Sequence, residues 1–574
     1  MRKTFSDQWV QLLVYTTVLS GALTALLLFA PHHTTIDASV ASAAAPAAAP
    51  LTAPMPTPSL PMPAAAPSAP SLAMTPGLGS APSGGGMTMT SSLPPGARPG
   101  FTLQGAGIMK ILKAKTPGKW IVDSLSGPDS DTGDVNEALS NAKDGDEIVV
   151  LAGTYKVEIA STKKQVKISG GGSDRSKVIF ENSDHNPVEV SGGSLALSNM
   201  TLRRSGGDYG SVIGVSEGTV SLTDVRIEAV GNSEGVALRD STLKALRVQF
   251  HGGRTAVDVR ERSKASLDGC SLEEHKTALL LDDKGELEVR RSTVDGGEMG
   301  IYVTKSAKLS VSDSKFTGQD QHSINLTSPG TKADVSGCDF SGSKDGLWVY
   351  EGADLSIKNS KFKDLRGEGI FIGESAKATV TGCEFNAVKT AMRVATRSTL
   401  DVVGGTIVGS NRYGVAADDS AKLALTGTTF RDNGGVSVYI ERQADGVLKD
   451  VKILKTSDLG MFVGESSSAS LERTTIDGSL KAGVLLGRDA RFKAVASTIS
   501  GNGRCALSLS GETATVTLRD AKLGGNDCAI SFVEGGAVDS ERGDFTGNKK
   551  GAFLFALVNK SKIALTGAGN KTKP

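Results

Sequence analysis

Asp258 and Asp282, with Arg239, Arg260 and Glu261 close by, are the residues whose types best suit acid–base chemistry. Two carboxylates facing one glycosidic bond can protonate the leaving oxygen and activate the attacking group. The plainer reading of the same residues is a solvated, ion-paired surface, which contributes little. A second set is largely aromatic: Tyr302, Asn325, Trp348, Phe371, Arg393, Tyr439 and Phe462 recur at near-constant spacing in a chain that is only 5% aromatic. Flat rings on a sheet stack on sugar rings or form the apolar centre of a protein contact. Arg393 adds a fork for a carboxylate. Against this, strands favour aromatic residues for packing reasons alone. The cysteines number 5, an odd count, and the histidines His185, His251, His275 and His322 are dispersed without metal-ligand spacing. No metal and no cofactor are expected.

The elements that must position these residues are repeats. From about residue 187 onward the chain recurs every 22 to 23 residues, as in GIYVTKSAKLSVSDSKFTG from Gly300, GLWVYEGADLSIKNSKFKD from Gly346 and GIFIGESAKATVTGCEFNA from Gly369. Each unit has a small residue, two alternating apolar positions, a polar bend, two more apolar positions, then a hydroxyl or thiol residue and a Phe or Ile. A fixed period of this size is the mark of a solenoid. With 69 glycines and few helical patterns, the chain reads as all-β. About 17 to 18 coils are expected, their rungs about 4.8 Å apart.

Alternation then assigns faces. Ile301 and Val303 point inward and Tyr302 outward, which builds one outward column: Asp258, Leu280, Tyr302, Asn325, Trp348, Phe371, Arg393, Ala416, Tyr439, Phe462 and Leu485. The terminal Phe or Ile of each unit forms an inner column, with Phe316, Phe340, Phe362 and Phe385 consecutive. Cys270, Cys338 and Cys383 share the small-residue position held elsewhere by Ser292, Ser314 and Ser360, so they read as buried packing residues. Cys505 and Cys528 sit at one point of adjacent coils, within reach of a disulfide if their side chains face each other.

Ahead of the repeats, Thr132 or Asp131 can cap a short helix near 132–144, with Val135, Ala138, Leu139 and Ala142 on one face and Gly145 as its stop. Such a helix, placed just before the first coil, covers an otherwise exposed solenoid end. The stretch EALSNAKDGDEIVVLAGTY (137–155), followed by KQVKISGGG (164–172) and SKVIFENSD (176–184), resembles the opening of pectin-lyase-like right-handed parallel β-helix proteins, a group that includes pectin methylesterases and alginate epimerases. The resemblance implies the fold over roughly residues 115–574 and no activity. The Gly-His-Gly and Arg-Ile-Lys signatures of the pectin hydrolases are absent, as is the Asp-Pro-His-Asp of the epimerases, and Asp282-Asp283 and Asp418-Asp419 stand alone. No catalytic residue is carried over.

Residues 9–30 are uncharged and mostly apolar, long enough for a membrane-spanning signal anchor, with Arg2 and Lys3 before them and no Lys or Arg until Arg98. This predicts a cytoplasmic segment 1–8, an Ala/Pro/Ser-rich disordered linker over 31–100 and a β-helix domain over 101–574 held outside the cytoplasmic membrane, periplasmic or extracellular. Cleavage after residue 43 would instead release a secreted protein. Lys+Arg (63) and Asp+Glu (62) nearly cancel, so nothing calls for a nucleic-acid partner. The sequence favours a non-catalytic binding or scaffold module for a polysaccharide or an envelope protein. The alternative is a carbohydrate-active enzyme (lyase, epimerase or glycoside hydrolase) on a uronate-type polymer, using Asp258, Asp282 and Arg260.

Overall fold

The computed structural model describes residues 114–206, 209–555 and 563–572. The predicted membrane segment 9–30 and the linker 31–100 lie outside them. Among the described residues no helix is long and apolar enough to cross a membrane.

The chain winds as a parallel β-helix with three faces. Among the described residues, face 1 carries 18 strands of the GIYV type, face 2 carries 20 of the KLSVS type, and face 3 carries 16, mostly three-residue strands centred on an apolar residue such as Phe or Ile. Every rung pairs in parallel with the same position of the next coil, for example Tyr302 with Asn325 on face 1, Leu309 with Ala333 on face 2 and Phe316 with Phe340 on face 3. Like therefore stacks on like. The Phe316, Phe340, Phe362 and Phe385 rings lie parallel at centroid separations of 5.1, 4.9 and 4.5 Å. Burying each of these side chains contributes about 1.5–3 kcal/mol.

Corners are made by chemistry that also repeats. Between faces 2 and 3 each coil places one residue at positive φ, mostly Asn, Asp or Gly, as at Asn359, Gly382 and Gly404. Where arginine takes that position, its guanidinium reaches the corner aspartate of the coil before: Arg247 to Asp224 at 2.7 Å and Arg473 to Asp450 at 2.7 Å. The next residue is buried, and where it is serine its hydroxyl accepts the backbone N–H of the preceding coil, Ser292 from Cys270 at 3.0 Å and Ser360 from Cys338 at 3.2 Å. Cys270, Cys338 and Cys383 are free and buried in this row, and burial pushes their thiols up to about 11, which leaves them unreactive. Asn502, Asn526 and Asn548 form a second buried ladder at the corner between faces 3 and 1, each side-chain oxygen accepting the N–H of the coil below at 2.9–3.0 Å.

The N-terminal end differs from the sequence expectation in two ways. Helix α1 spans Val135–Asn141, shorter than 132–144, and its N-cap is Asp134, which accepts from Asn136 N–H at 2.8 Å. Thr132 instead bonds Glu137 Oε2 and accepts from Asp134 N–H, and the helix ends at Ala142 before Gly145. The solenoid also begins before the helix, because the strand Lys119–Val122 pairs with Glu147–Val150 on face 2. The helix thus takes the place of a face 1 strand in the first coil and packs on Ile159–Thr162. Its buried Val135, Ala138, Leu139 and Ala142 are the four residues of the apolar stripe. Near the other end Cys505 and Cys528 are joined, their Cα atoms 4.4 Å apart.

Candidate functional site

Three outward rows cross face 1. The middle row is the column read from alternation, and the strand registers align it coil by coil from Asp258 to Leu485. Two residues on, alternation gives a second row containing Arg260, Asp282, Asp418 and Glu441. Three residues before the middle row lies a third, Met299, His322, Asp345, Glu368, Thr390 and Tyr413, which simple alternation misses. The reason is the strand entry: residues such as Ser323 and Ile324 are consecutive and both fully buried, so the residue before them turns out again. Glycine is required at several of these entries. A Cβ on Gly369 would collide with the Ala391 carbonyl and the Phe385 ring.

The acid–base candidates are tied up in ion pairs. Asp258 is 2% exposed and held by both arms of Arg260, at 2.8 Å each. Asp282 sits in a different row, one coil on, and pairs with Lys305 at 2.8 Å. Glu234 pairs with Arg254 at 2.9 Å, and Arg239 with Glu261 at 3.2 Å. Burial and the neighbouring Asp258 raise Glu234, against the pull of Arg254 and Arg260, so each of these carboxylates is already committed to a cation.

The aromatic column has a different geometry from the one its spacing suggests. Trp348 and Phe371 stack on each other at 4.1 Å, with His322 from the third row tilted against Trp348 at 4.9 Å. Further along, Tyr439 stacks on Phe462 at 5.0 Å and meets Tyr413 at 4.6 Å. Most ring faces are therefore used within the ladder, and the half-buried rings present edges outward. Tyr302 is half-buried, while Asn325 is buried with its Oδ1 lacking a hydrogen-bond partner among the described residues.

The two ring stacks are separated by Arg393 and then Ala416. The guanidinium of Arg393 lies 5.9 Å from the Phe371 centroid. Ala416 is fully buried, and beside its neighbours Arg393 and Tyr439 lies a notch of about 120 Å³ lined by Glu368, Thr390, Arg393, Arg412, Tyr413, Asp418, Tyr439, Glu441 and Arg442. Arg393 is shared between Asp418 at 3.0 Å and Glu368 at 3.7 Å. Asp418 also meets Arg442 at 3.3 Å, which itself holds Asp419 at 2.6 Å. Arg412 stacks over Tyr413 at 5.0 Å, and its charge also pulls Glu368 down.

Electrostatics at the notch are unusual for a surface. Burial, with the nearby Asp345, pushes Glu368 up to about 7 against the pull of Arg393. Burial likewise raises Asp418, opposed by Arg393 and Arg442. Burial and the Glu441 carboxylate, to which Tyr439 donates, hold the Tyr439 phenol above its usual value. Glu368 Oε2 and Asp418 Oδ1 have no hydrogen-bond partner among the described residues, and Asp418 is only 4% exposed. Such orphaned acceptors are costly unless something else supplies donors. A larger, shallower hollow of about 460 Å³ lies on face 2, but its Glu286 is already bridged by Lys264 and Lys308 at 3.0 and 3.1 Å. No group of three His, Cys, Asp or Glu among the described residues is placed to hold a metal ion.

Of the candidate residues from sequence, Arg393 and Tyr439 line the notch, Trp348, Phe371 and Phe462 form its flanking stacks, and Tyr302, Asp258, Arg260 and Asp282 lie away from it. Glu368, Asp418, Arg412 and Tyr413 were not singled out as site residues. The signal for Asp418 was present as an alternating outward position.

A family profile described as right handed beta helix region matches residues 186–340, 255–407 and 390–545, together most of the repeats. The chain belongs to the right-handed β-helix family. Comparison with curated protein sequences finds no match. Among solved β-helix structures, the chain is similar to a PL6-family alginate lyase, AlyGC, at 12% identity and TM-score 0.33, over 79% of this chain and 100% of that one. It is similar to the tailspike of E. coli bacteriophage HK620, solved with a pentasaccharide, at 12% identity and TM-score 0.31, over 79% of each chain. The catalytic unit of a GH87 α-1,3-glucanase from Streptomyces thermodiastaticus shows 12% identity and TM-score 0.21, over 80% of this chain and 71% of that one. These β-helix likenesses concern backbone path alone, and no activity is transferred from them.

Proposed function

We propose that face 1 between His322 and Phe462 binds a carbohydrate polymer, and that the protein is a non-catalytic binding module carried at the cell envelope by the segment 9–30. The observation that carries this reading is the interruption of the aromatic ladder at Arg393 and Ala416, where a notch lined by Arg393, Arg412, Tyr413 and Tyr439 lies between two ring stacks. Sugar recognition calls for a few convergent polar groups beside apolar ring surface. The envelope location rests on the sequence of residues 1–98. A glycan array probed with the purified full chain tests the binding. Retention of at least one polysaccharide class, lost on Ala416→Phe, supports the reading; no retention on any glycan removes it.

One observation favours the enzyme alternative, namely a Glu368 that carries a proton near neutral pH beside an arginine. A carboxyl so placed can act as a general acid. The partner carboxylate, Asp418, is occupied by two arginines, which leaves it no free position from which to take a proton. Reducing-end release from polysaccharides, abolished by Glu368→Gln, would establish the enzyme; binding without release favours the module.

A further inference from the structure

The two ends of the solenoid are finished differently. At the N-terminal end the inward Trp120 and Val122 of the first rung are buried. The loop after them folds back, so that Thr132 bridges Val122 and Asp131 accepts the Ile121 N–H at 2.8 Å. At the C-terminal end the inward columns stop without a cover among the described residues. Phe555 continues the column of Phe532, and Leu565 that of Val538. Phe532 and Val538 are buried, whereas Phe555 is 43% exposed and Leu565 45%. The last strands of faces 1 and 2, Phe553–Phe555 and Ile563–Thr566, each pair along one edge only among the described residues. An apolar core left open beside free strand edges is a surface for another chain.

Charge says which chain. Residues 549–574 hold six lysines and no Asp or Glu. Lys549 and Lys550 share one acid, Asp527 of the coil before, at 3.6 and 3.1 Å. At the other end, residues 115–147 hold eight Asp and Glu against three lysines. Among the described residues none of these eight carboxylates is ion-paired, and Asp123, Asp131, Asp134 and Asp144 accept backbone N–H groups. From the same acidic loop Leu125 protrudes, 88% exposed. An acidic end with one protruding apolar side chain complements a basic end with an open apolar core. We infer that the protein stacks head to tail on copies of itself, Leu125 of one copy seating against Phe555 and Leu565 of the next. A tail-to-tail pair would oppose two sets of six lysines. Because the head-to-tail contact uses two different surfaces, it does not close on itself and continues to add copies. It involves the ends alone, and so is independent of what face 1 binds.

The test is sedimentation velocity of the full chain in detergent over a range of micromolar concentrations, at about 0.05 and 0.5 M salt. A series of multimers that lengthens with concentration is expected at low salt, weakened about 10-fold or more at high salt. Leu125→Asp, at an exposed position, should weaken association by about 10-fold or more at either salt. Leu125 and Leu565 lie at opposite ends of the rungs of one copy. The double variant Leu125→Cys/Leu565→Cys should therefore give a ladder of disulfide-linked multimers under mild oxidation, while Leu565→Cys alone stays monomeric. A dimer that grows no further and is cross-linked by Leu565→Cys alone would overturn the inference in favour of a tail-to-tail pair. Multimers indifferent to Leu125→Asp would overturn it by placing the contact elsewhere. A monomer at every concentration would overturn it and leave the open end to a partner of another kind.

Discussion

Two regions of face 1 carry the same residue types and differ in how they are closed. Around Asp258 and Asp282, Glu234, Asp258 and Asp282 each have a basic partner at 2.8–2.9 Å and none of the three leaves an orphaned acceptor. Around Glu368 and Asp418, one arginine is divided between two acids, two buried acceptors are unpaired and a neighbouring coil supplies alanine where others supply rings. In a solenoid, side chains normally satisfy one another up and down the column. A place where they fail to do so, beside an open notch, is where a ligand has something to add. The presence of charged pairs in outward rows is therefore a poor guide to a site, and incomplete pairing is a better one.

The contrast is broken most sharply by filling the gap. Ala416→Phe drives a ring between Arg393 and Tyr439, two residues that line the notch, and is expected to reduce glycan binding by about 100-fold or more. Leu280→Phe, in the same column within the closed region, should leave binding unchanged in the same titration. Equal losses from both would mean that face 1 has no localised site.

Asp258→Ala should do the reverse. It strands Arg260, whose side chain is 30% exposed, and is expected to lower unfolding stability by about 1–3 kcal/mol while glycan affinity stays constant. Thermal denaturation and calorimetry on one sample check both parts.

Glu368→Gln is expected to stabilise. The folded pKa of Glu368, about 7, lies above its ordinary 4.5, so ionisation is disfavoured in the folded state. Below pH 4.5 the group is protonated in both states and costs nothing. As pH rises toward 7 the unfolded state gains from ionising first, and stability falls. At pH 8 the substitution should recover on the order of 2 kcal/mol, and at pH 4 close to none, while weakening glycan binding. Stability that does not change between these pH values would show that Glu368 is not held protonated.

His275 gives the smallest effect in the comparison, because it is a buried imidazole with no notch beside it. Burial lowers it to about 4, against the pull of the Phe250 and Gly252 backbone. Its folded pKa lies below the unfolded 6.5, so its stabilising effect is complete above pH 6.5 and is lost as pH falls toward 4. His275→Asn should flatten the thermal stability profile between pH 6.5 and 4 without affecting binding at pH 7. A steep profile that persists in the variant would assign the effect to other groups.

Much of the architecture was legible because the repeat writes each position many times. The middle row from Asp258 to Leu485, the inner Phe column and the buried cysteine row all follow from alternation and stacking. The strand Lys119–Val122 was missed because it is a single short copy ahead of a helix. The third row was missed because two consecutive inward residues at each strand entry break the period of two. Spacing also placed the rings in one column without showing that they would spend their faces on each other. Ala416 was read as one member of that column, but spacing gave no sign that its neighbours Arg393, Asp418 and Tyr439 line a notch.

The most direct measurement is backbone hydrogen exchange of the full chain with and without a bound hexasaccharide. New protection is expected on face 1 in strands Glu368–Ile372, Thr390–Val394, Tyr413–Ala417 and Val436–Ile440. Protection centred instead on Thr255–Arg260 and Thr277–Leu281, or on face 2, would contradict the assignment of the site to the break in the ladder.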